Sequence, residues 1–360
     1  MAGRARVVLP LLALVALAAA RAPTAAERAH ATSPAALARV IAAAGDRYSA
    51  RPVDVSRITA RARRGAAAPA PTVLMHGLGD AGSNAGMQSL AQSVAAAHPG
   101  AYAVAVNVAN TVQSFVTPIK LQIEELAAAI RGDATLAAAP EINMVGLSQG
   151  GLVIRGYAQR FAGTAPYYPR VKSLVSICGV QNGVFNCPAE LQIVPFLCDI
   201  FEEDPYNFLF NGSIPLSFSD YFTTFWNESM FLNAPFDNAL GTQTPILPDL
   251  NNLATRNATY VAALAAIKTI VLSEALNDTV VYPYQSEQFG GFAWTNASGK
   301  AHPVTLEFDD PRNDQWRADA LGLRTRAQTA PASLVFSSFV GDHIRFSDQY
   351  WDDVVLPLLD

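Results

Sequence analysis

A serine in a glycine-rich turn is the first residue whose type and spacing point to covalent chemistry. Gly146-Leu147-Ser148-Gln149-Gly150 fits the pattern G-x-S-x-G. It lies between a predicted strand and a predicted helix, where this pattern is typical of a nucleophile elbow. Such a sharp turn lifts the serine hydroxyl above the sheet, and glycines are expected where larger side chains would collide. The predicted chemistry is nucleophilic catalysis by Ser148.

A serine hydroxyl is a weak nucleophile and needs a base. In enzymes with this elbow the acid and then the histidine follow the serine along the chain. His343 directly follows the last predicted strand, where a loop can bring an imidazole over the sheet edge, and it is the favoured base. His302 also follows the serine, but it sits beside a polar loop and is the weaker alternative.

The acid of such a site is expected after the fifth predicted strand. Asp278 lies in the segment that follows this strand and is the favoured candidate. Its role would be to hold the imidazole tautomer and to stabilise the imidazolium. Glu274, at the strand end, and Asp342, beside His343, are alternatives that more often have structural roles.

A second glycine-rich loop follows the first predicted strand. His76-Gly77-Leu78-Gly79-Asp80 is similar to the loop that supplies an oxyanion-hole N–H in esterases and lipases. The predicted donors are the backbone N–H groups of Leu78 and of Gln149, which follows the nucleophile. His76 itself is expected to hold the loop.

Short apolar segments alternate with helical patterns over most of the chain. The predicted strands are 72–76, 101–107, 142–147, 171–177, 268–273 and 333–338, and the predicted helices are 116–131, 150–161 and one from about 348. Continuous apolar strands of this kind, separated by helices, indicate a mostly parallel sheet covered by helices on both faces. The fold class is therefore α/β, with the main domain at 71–360.

The alternation stops between the fourth and fifth predicted strands. Residues 179–267 are rich in Phe, Tyr, Trp, Pro and Asn. A structureless loop of this length is improbable inside a compact domain. The segment is predicted to be a cap inserted at about 180–265.

The beginning of the chain resembles a secretory signal peptide. Arg4 and Arg6 precede an apolar run that ends in small residues, so residues 1–20 are predicted to be cleaved. The run is shorter than the ~20 residues that a membrane span needs. Residues 21–70 are rich in Ala and Arg and are expected to be a propeptide or disordered, and Arg61-Ala62-Arg63-Arg64 has the spacing of a convertase site or an exposed basic linker.

Composition excludes several classes of protein. The net charge is −5, and the basic residues cluster in the first 65 positions, so the acidic body argues against nucleic-acid binding. The three cysteines form no paired C-x-x-C motifs, and we expect no metal site and no cofactor.

Five sequons behind a signal peptide predict glycosylation. They are at Asn211, Asn227, Asn257, Asn277 and Asn296.

Together these residues resemble the palmitoyl-protein thioesterase family over about 71–359. The similar blocks, in order, are HGLGD at 76–80, GLSQGG at 146–151, NGVF at 182–185, LNDTVVYP at 276–283, SEQFG at 286–290, LGL at 321–323 and GDHI at 341–344. One block would mean little, but their shared order and spacing are specific.

The resemblance implies an α/β-hydrolase that cleaves S-acyl thioesters of long fatty acids, such as palmitate, on protein cysteine. It implies the triad Ser148, Asp278 and His343, and oxyanion donors at Leu78 and Gln149. It also implies a lysosomal location, with secretion as the alternative, and S-palmitoylated proteins or peptides as substrates. No membrane span is expected after signal cleavage.

The resemblance further implies a disulfide between Cys187 and Cys198 in the cap, with Cys178 left as a buried thiol. The chain departs from the family after its HG-x-GD motif, where Ala81, Gly82 and Ser83 replace cysteines. Two other functions remain open. A lipase or carboxylesterase would use the same triad on oxygen esters, and a catalytically dead lipid-binding hydrolase fold would have lost part of it.

Overall fold

The computed structural model describes residues 49–60, 68–184 except 112, 115 and 116, 246–297 except 254, and 300–360. Several predicted features lie outside these described residues. They are the signal peptide 1–20, the basic site 61–64, the central part of the cap, Cys187, Cys198, Asn211 and Asn227.

Six strands form one parallel sheet in the described part of the chain. They are β1 (Thr72–Met75), β2 (Ala103–Ala105), β3 (Glu141–Leu147), β4 (Arg170–Ile177), β5 (Thr269–Ala275) and β8 (Leu334–Phe339). Their order is β2-β1-β3-β4-β5-β8, and every neighbouring pair is parallel. These strands correspond to the six predicted ones. Parallel pairing brings the carboxyl ends of all six to one edge.

Helices connect these strands and cover the sheet. They are α1 (Ala85–Ala97), α2 (Ile119–Gly132), α3 (Ala134–Ala138), α4 (Gln149–Arg160), α5 (Ile246–Leu250), α6 (Ala258–Ala266), α7 (Asp314–Ala318), α8 (Leu323–Thr329) and α9 (Asp348–Tyr350). The last continues as a π-turn (Trp351–Val355) and a 3₁₀ turn (Leu356–Leu358), and further 3₁₀ turns are Val55–Arg57, Tyr284–Gln288 and Pro331–Ser333. Within the described ranges, no helix is both long and apolar enough to cross a membrane.

Alternate residues of each strand enter two separate apolar cores. Val73 and Met75 of β1 face one core together with α2, α4 and α6, whereas Leu74 between them faces the other core. That second core contains α1 and the C-terminal helical segment, including the fully buried Trp351. The sheet is therefore covered on both faces, which confirms the predicted fold class.

Several elements were not anticipated from the sequence, among them helix α1 and a β-hairpin. Helix α1 is rich in Ala, so its apolar face is marked only by Met87, Leu90 and Val94. Strands β6 (Gly291–Ala297) and β7 (Lys300–Leu306) form a separate antiparallel hairpin. The apolar patterns of α1 and of the hairpin are weak, and neither is among the elements predicted from the sequence.

Part of the Ala/Arg-rich segment packs against the body of the protein. Residues 49–60 lie along α1, with Ala50 and Val53 buried. Val53 N donates to Ser89 Oγ at 3.0 Å. A side chain at Gly86 would place its Cβ 1.7 Å from Ala50 O, so only glycine permits this close approach.

A buried arginine ties the ends of the predicted cap to helix α4. Arg155 is 2% exposed and donates to Gln159 Oε1, Leu250 O, Gln181 O and Asn251 Oδ1 at 2.8–3.2 Å. All four partners are uncharged, and burial lowers the pKa of Arg155 to about 9. The guanidinium is thus still protonated at neutral pH, and it depends on these acceptors for its solvation.

Replacing this arginine should destabilise the fold. Arg155→Met removes the donors and leaves buried acceptors unpaired, at roughly 1–3 kcal/mol for each such group. We expect the free energy of unfolding in urea to fall by about 3 kcal/mol or more. Arg317, which pairs with Asp314 and is 63% exposed, provides the control, because Arg317→Met should cost less than about 1 kcal/mol. Equal losses in the two variants would contradict this prediction.

Candidate active site

The turn after β3 holds Ser148 in a strained backbone conformation. Ser148 has φ +54° and ψ −127°, and its N–H donates to Ile177 O on the neighbouring strand at 2.8 Å. A positive φ in a residue with a side chain costs roughly 1–3 kcal/mol and persists only where the surroundings enforce it. The strain orients the hydroxyl at the N-terminus of α4.

The two glycines of the motif permit a close approach of backbones. A Cβ at Gly146 would lie 2.5 Å from Gly150 O, and one at Gly150 would lie 2.5 Å from the carbonyl oxygens of Met75 and His76. Contacts this short do not occur, so any larger residue would push α4 away from β1. This geometry explains why the sequence has glycine at both positions.

The structure brings the three favoured residues into one chain of hydrogen bonds. His343 Nε2 lies 2.8 Å from Ser148 Oγ, and His343 Nδ1 lies 2.6 Å from Asp278 Oδ2. The exposed fractions of the three residues are 1% for His343, 5% for Ser148 and 8% for Asp278. An imidazole placed between a hydroxyl and a carboxylate can accept the hydroxyl proton while the carboxylate stabilises the resulting charge.

The carboxyl group of Asp278 is held in its ionised form. Burial by itself would raise its pKa, but the His343 charge and hydrogen bonds from His343 and the Val281 N–H lower it below its usual value. Asp278 Oδ1 accepts the Val280 and Val281 N–H groups, each at 2.7 Å. These two N–H groups fix the carboxylate in the plane that faces His343.

The alternative acid and base residues lie outside the chain of hydrogen bonds from Ser148 through His343 to Asp278. Asp342 Oδ1 accepts the Thr279 N–H, the Thr279 hydroxyl and the His343 N–H, so it joins the two loops that carry Asp278 and His343. Glu274 lies on β5, and burial together with the charge of Glu307 raises its pKa to about 7. His302 belongs to β7, in the separate hairpin.

The loop at 76–80 lies against the serine. A Cβ at Gly77 would be 2.9 Å from Ser148 Cβ, so Gly77 packs directly on the nucleophile position and Leu78 follows it. The ring nitrogens of His76 lie 2.8 Å from Gly77 O and from Val108 O. His76 therefore holds the loop in place, as expected from its position.

The N-terminal segment braces this loop. Asp80 is fully buried and its carboxylate accepts the Ala50 N–H at 3.0 Å. Arg345, which lies two residues after His343 in the sequence, donates to Ser49 O at 2.9 Å. Residues 49 and 50 thus connect the loop of Leu78 with the loop of His343.

Polar side chains from α2 and the loop before it support the other side of the site. Ser114 Oγ accepts the Gly79 N–H at 2.7 Å. Gln149 Nε2 donates to Gln122 Oε1 at 3.0 Å and to Ser114 O at 3.2 Å. Sequence reasoning missed Ser114 and Gln122, since isolated polar residues around a helix start carry no motif.

The remaining predicted residues in the described ranges are Cys178 and three of the sequon asparagines. Cys178 is a free, buried thiol, as expected, and burial raises its pKa. Of the described sequons, Asn257 caps α6 by accepting the Thr259 N–H, Asn277 is exposed directly before Asp278, and Asn296 lies on β6. Glycosylation at these positions stays a prediction.

Comparison with known proteins identifies relatives over most of the chain. "Palmitoyl-protein thioesterase 3" of Dictyostelium discoideum is 28% identical over 257 residues, which cover 71% of this chain and 79% of that protein. "Palmitoyl-protein thioesterase 1" of Caenorhabditis elegans is 24% identical over 303 residues, covering 80% and 91%. Among solved structures, esterase B from Lactobacillus rhamnosis aligns with a TM-score of 0.41 at 12% identity, over 90% of this chain and 92% of that one.

The family model described as "Palmitoyl protein thioesterase" matches residues 71–343. The match begins just before β1 and ends at His343, so it spans the sheet and includes Ser148 and Asp278. The chain is therefore a hydrolase that belongs to the palmitoyl-protein thioesterase family.

Proposed function

We propose that this protein is a serine thioesterase that removes long-chain fatty acyl groups, such as palmitate, from S-acylated cysteine in proteins or peptides. The observation that carries the proposal is the unbroken chain of hydrogen bonds from Ser148 through His343 to Asp278. The names of the relatives support the substrate class. The triad by itself serves oxygen esters and thioesters alike, so the substrate must be tested directly.

In the first half of the reaction, Ser148 Oγ attacks the thioester carbonyl carbon while His343 Nε2 takes its proton. Asp278, ionised and hydrogen-bonded to Nδ1, stabilises the imidazolium that forms. The tetrahedral intermediate then expels the cysteine thiolate, which takes the proton from the imidazolium and leaves as the thiol, so an acyl-enzyme with a neutral His343 remains. A thiol has a pKa of about 8.5, so it departs with less help from an acid than an alkoxide needs.

In the second half, water replaces the thiol. His343 takes a proton from the water, whose oxygen attacks the acyl carbon and releases the fatty acid from Ser148. The same imidazole then gives this proton to Ser148 Oγ. His343 and Ser148 are thereby returned to their starting states. Because the acyl chain contributes ~0.8 kcal/mol for each buried CH₂, preference for long chains requires an apolar groove.

The oxyanion of both intermediates needs donors next to the serine. We assign this role to the backbone N–H groups of Leu78 and Gln149. Support comes from the contact of Gly77 with Ser148 and from the position of Gln149 in the first turn of α4. At other enzymes, loss of one such donor costs about 10²–10³ in kcat.

The first test compares a palmitoyl-cysteine thioester peptide with a matched palmitoyl oxygen ester. Wild-type protein should hydrolyse the thioester faster, and Ser148→Ala should lower kcat by about 10³-fold or more, because the nucleophile is lost. Faster oxygen-ester hydrolysis would instead assign the protein to lipases or carboxylesterases. Tight fatty-acid binding without turnover of either ester would indicate a catalytically dead, lipid-binding fold.

The oxyanion assignment is tested at Gly77. Gly77→Ala places a methyl group against Ser148 Cβ and should displace the Leu78 N–H from the serine. We expect kcat to fall by about tenfold or more with KM little changed, as for the loss of a transition-state contact. The control is Gly132→Ala at the end of α2, where a Cβ meets nothing within 4 Å. Equal kcat in the two variants would refute the assignment.

We further propose that the protein works in an acidic compartment of the secretory pathway, the lysosome, with secretion as the alternative. Two carboxyl groups support this, the partly buried Glu274 and the fully buried Glu287. Burial raises the pKa of Glu274 to about 7 and that of Glu287 well above its usual value, in both cases helped by a neighbouring carboxylate. Their folded forms hold protons that the unfolded chain releases, so acid favours the folded state.

The pH dependence of stability tests this idea. Between the usual glutamate pKa and about 7, the folded protein binds more protons than the unfolded chain, so Glu274 stabilises the fold at pH 5 and loses this effect as the pH rises to 8. We expect the Tm of wild type to fall over this range. The fall should be smaller in Glu274→Gln and unchanged in Glu124→Gln, an exposed control on α2. Identical slopes in all three proteins would contradict the prediction.

A further inference from the structure

A second carboxyl group lies buried behind the Asp278 carboxylate. Glu287, in the 3₁₀ turn Tyr284–Gln288, is 0% exposed. Its Oε2 atom accepts the Ala275 N–H at 3.0 Å, at the end of β5. Four polar atoms lie within 4.8 Å of one another at this place: a carboxylate oxygen each from Glu287 and Asp278, a ring nitrogen of His343, and Cys178 Sγ.

Hydrogen bonding around this carboxyl group is incomplete if both acids are ionised. Glu287 Oε1 is buried and then has no partner among the described residues. Two carboxylates this close in a dry site also repel each other strongly, and one of such a pair keeps its proton. A proton on Glu287 would remove this repulsion and would let the carboxyl group donate to Asp278.

The surroundings decide which of the two acids keeps the proton. Asp278 receives two backbone N–H groups and faces the imidazole, whereas Glu287 has the single Ala275 N–H and a buried thiol beside it. Burial and the Asp278 charge raise the pKa of Glu287. The titratable groups around Glu287 are Cys178, Glu274, Asp278, His343 and Tyr350.

We propose that Glu287 is a positioning residue that stays protonated at neutral pH and donates a hydrogen bond to Asp278. This bond holds the Asp278 carboxylate in the orientation that pairs with His343 Nδ1, so Glu287 acts through Asp278 and never touches the substrate. The inference rests on the proposed function only for its kinetic consequence, since the protonation state can be measured without any turnover.

A metal ion is the other occupant that these side chains could hold. However, both ring nitrogens of His343 are already paired with Ser148 and Asp278. All four side chains are buried, and a proton is the smaller occupant. One divalent ion per chain in the purified protein would overturn the proposal.

The variants separate hydrogen bonding from space filling. In Glu287→Gln the amide oxygen can accept the Ala275 N–H while the amide N–H donates to Asp278, as a neutral glutamic acid would. Glu287→Met keeps a similar volume but has no donor. Glu274 provides the matched control, because it is a neighbouring glutamate with a raised pKa that forms no hydrogen bond to Asp278.

For the kinetic test, thioesterase activity is measured for each variant per correctly folded chain. Glu287→Met should lower kcat by about ten- to hundredfold with KM unchanged, because Asp278 loses a hydrogen bond to a charged group. Glu287→Gln should restore most of the activity, and Glu274→Met should resemble wild type. Full activity of Glu287→Met, or equal impairment of Glu287→Gln and Glu287→Met, would overturn the positioning role.

The protonation state is read from the infrared carbonyl stretch of a neutral carboxylic acid, recorded at pH 8, where Glu274 is mostly ionised. The band should be present in wild type and in Ser148→Ala and absent in Glu287→Gln. Absence of the band in wild type would overturn the proposal even if the enzyme is active. Absence of thioesterase activity in wild type, with the band present, would instead count against the proposed function.

Discussion

The close approach of helix α4 to the carboxyl ends of β1 and β3 is the constraint on which the rest of the site depends. Gly146 and Gly150 remove the side chains that would separate these elements, and Ser148 between them takes up the strain. That strain is tolerable because the backbone of the turn is tied to β4. Once the hydroxyl has this position, Gly77, His343 and Asp278 can reach it only from loops that leave the same edge of the sheet.

In the interior groups described above, a side chain is ionised only where neighbouring hydrogen-bonding groups stabilise its charge. Asp278 has two backbone N–H groups and the imidazole to stabilise its ionised form. Glu287 and Cys178, which have fewer donors, are buried in forms that burial keeps neutral. Arg155 follows the opposite strategy, since it keeps its charge and relies on four neutral oxygen acceptors. In each arrangement, a single ionised group lies where neighbouring backbone and side-chain groups can solvate it.

Much of this architecture was predictable because it depends on local patterns. The strands are short apolar runs, and the order of Ser148, Asp278 and His343 along the chain matches the order of the strands that present them. The hairpin of β6 and β7 was missed because its apolar alternation is weak. Glu287 was not recognised as part of the site, because Gln-Ser-Glu-Gln in a single turn has the composition of an exposed loop. Its burial follows only from tertiary packing against β5.

The attachment of residues 49–60 bears on the order in which contacts can form as the chain folds. Ser49 and its partner Arg345 are 296 residues apart in the sequence, and Arg57 pairs with Asp348. Closing a loop of that length costs conformational entropy before the contact gives anything back, so such contacts form most readily once the sheet between them has folded. Residues 49–60 are therefore expected to dock late, onto strands that are already paired. The brace between the loops of Leu78 and His343 would then be completed after the sheet that carries both loops.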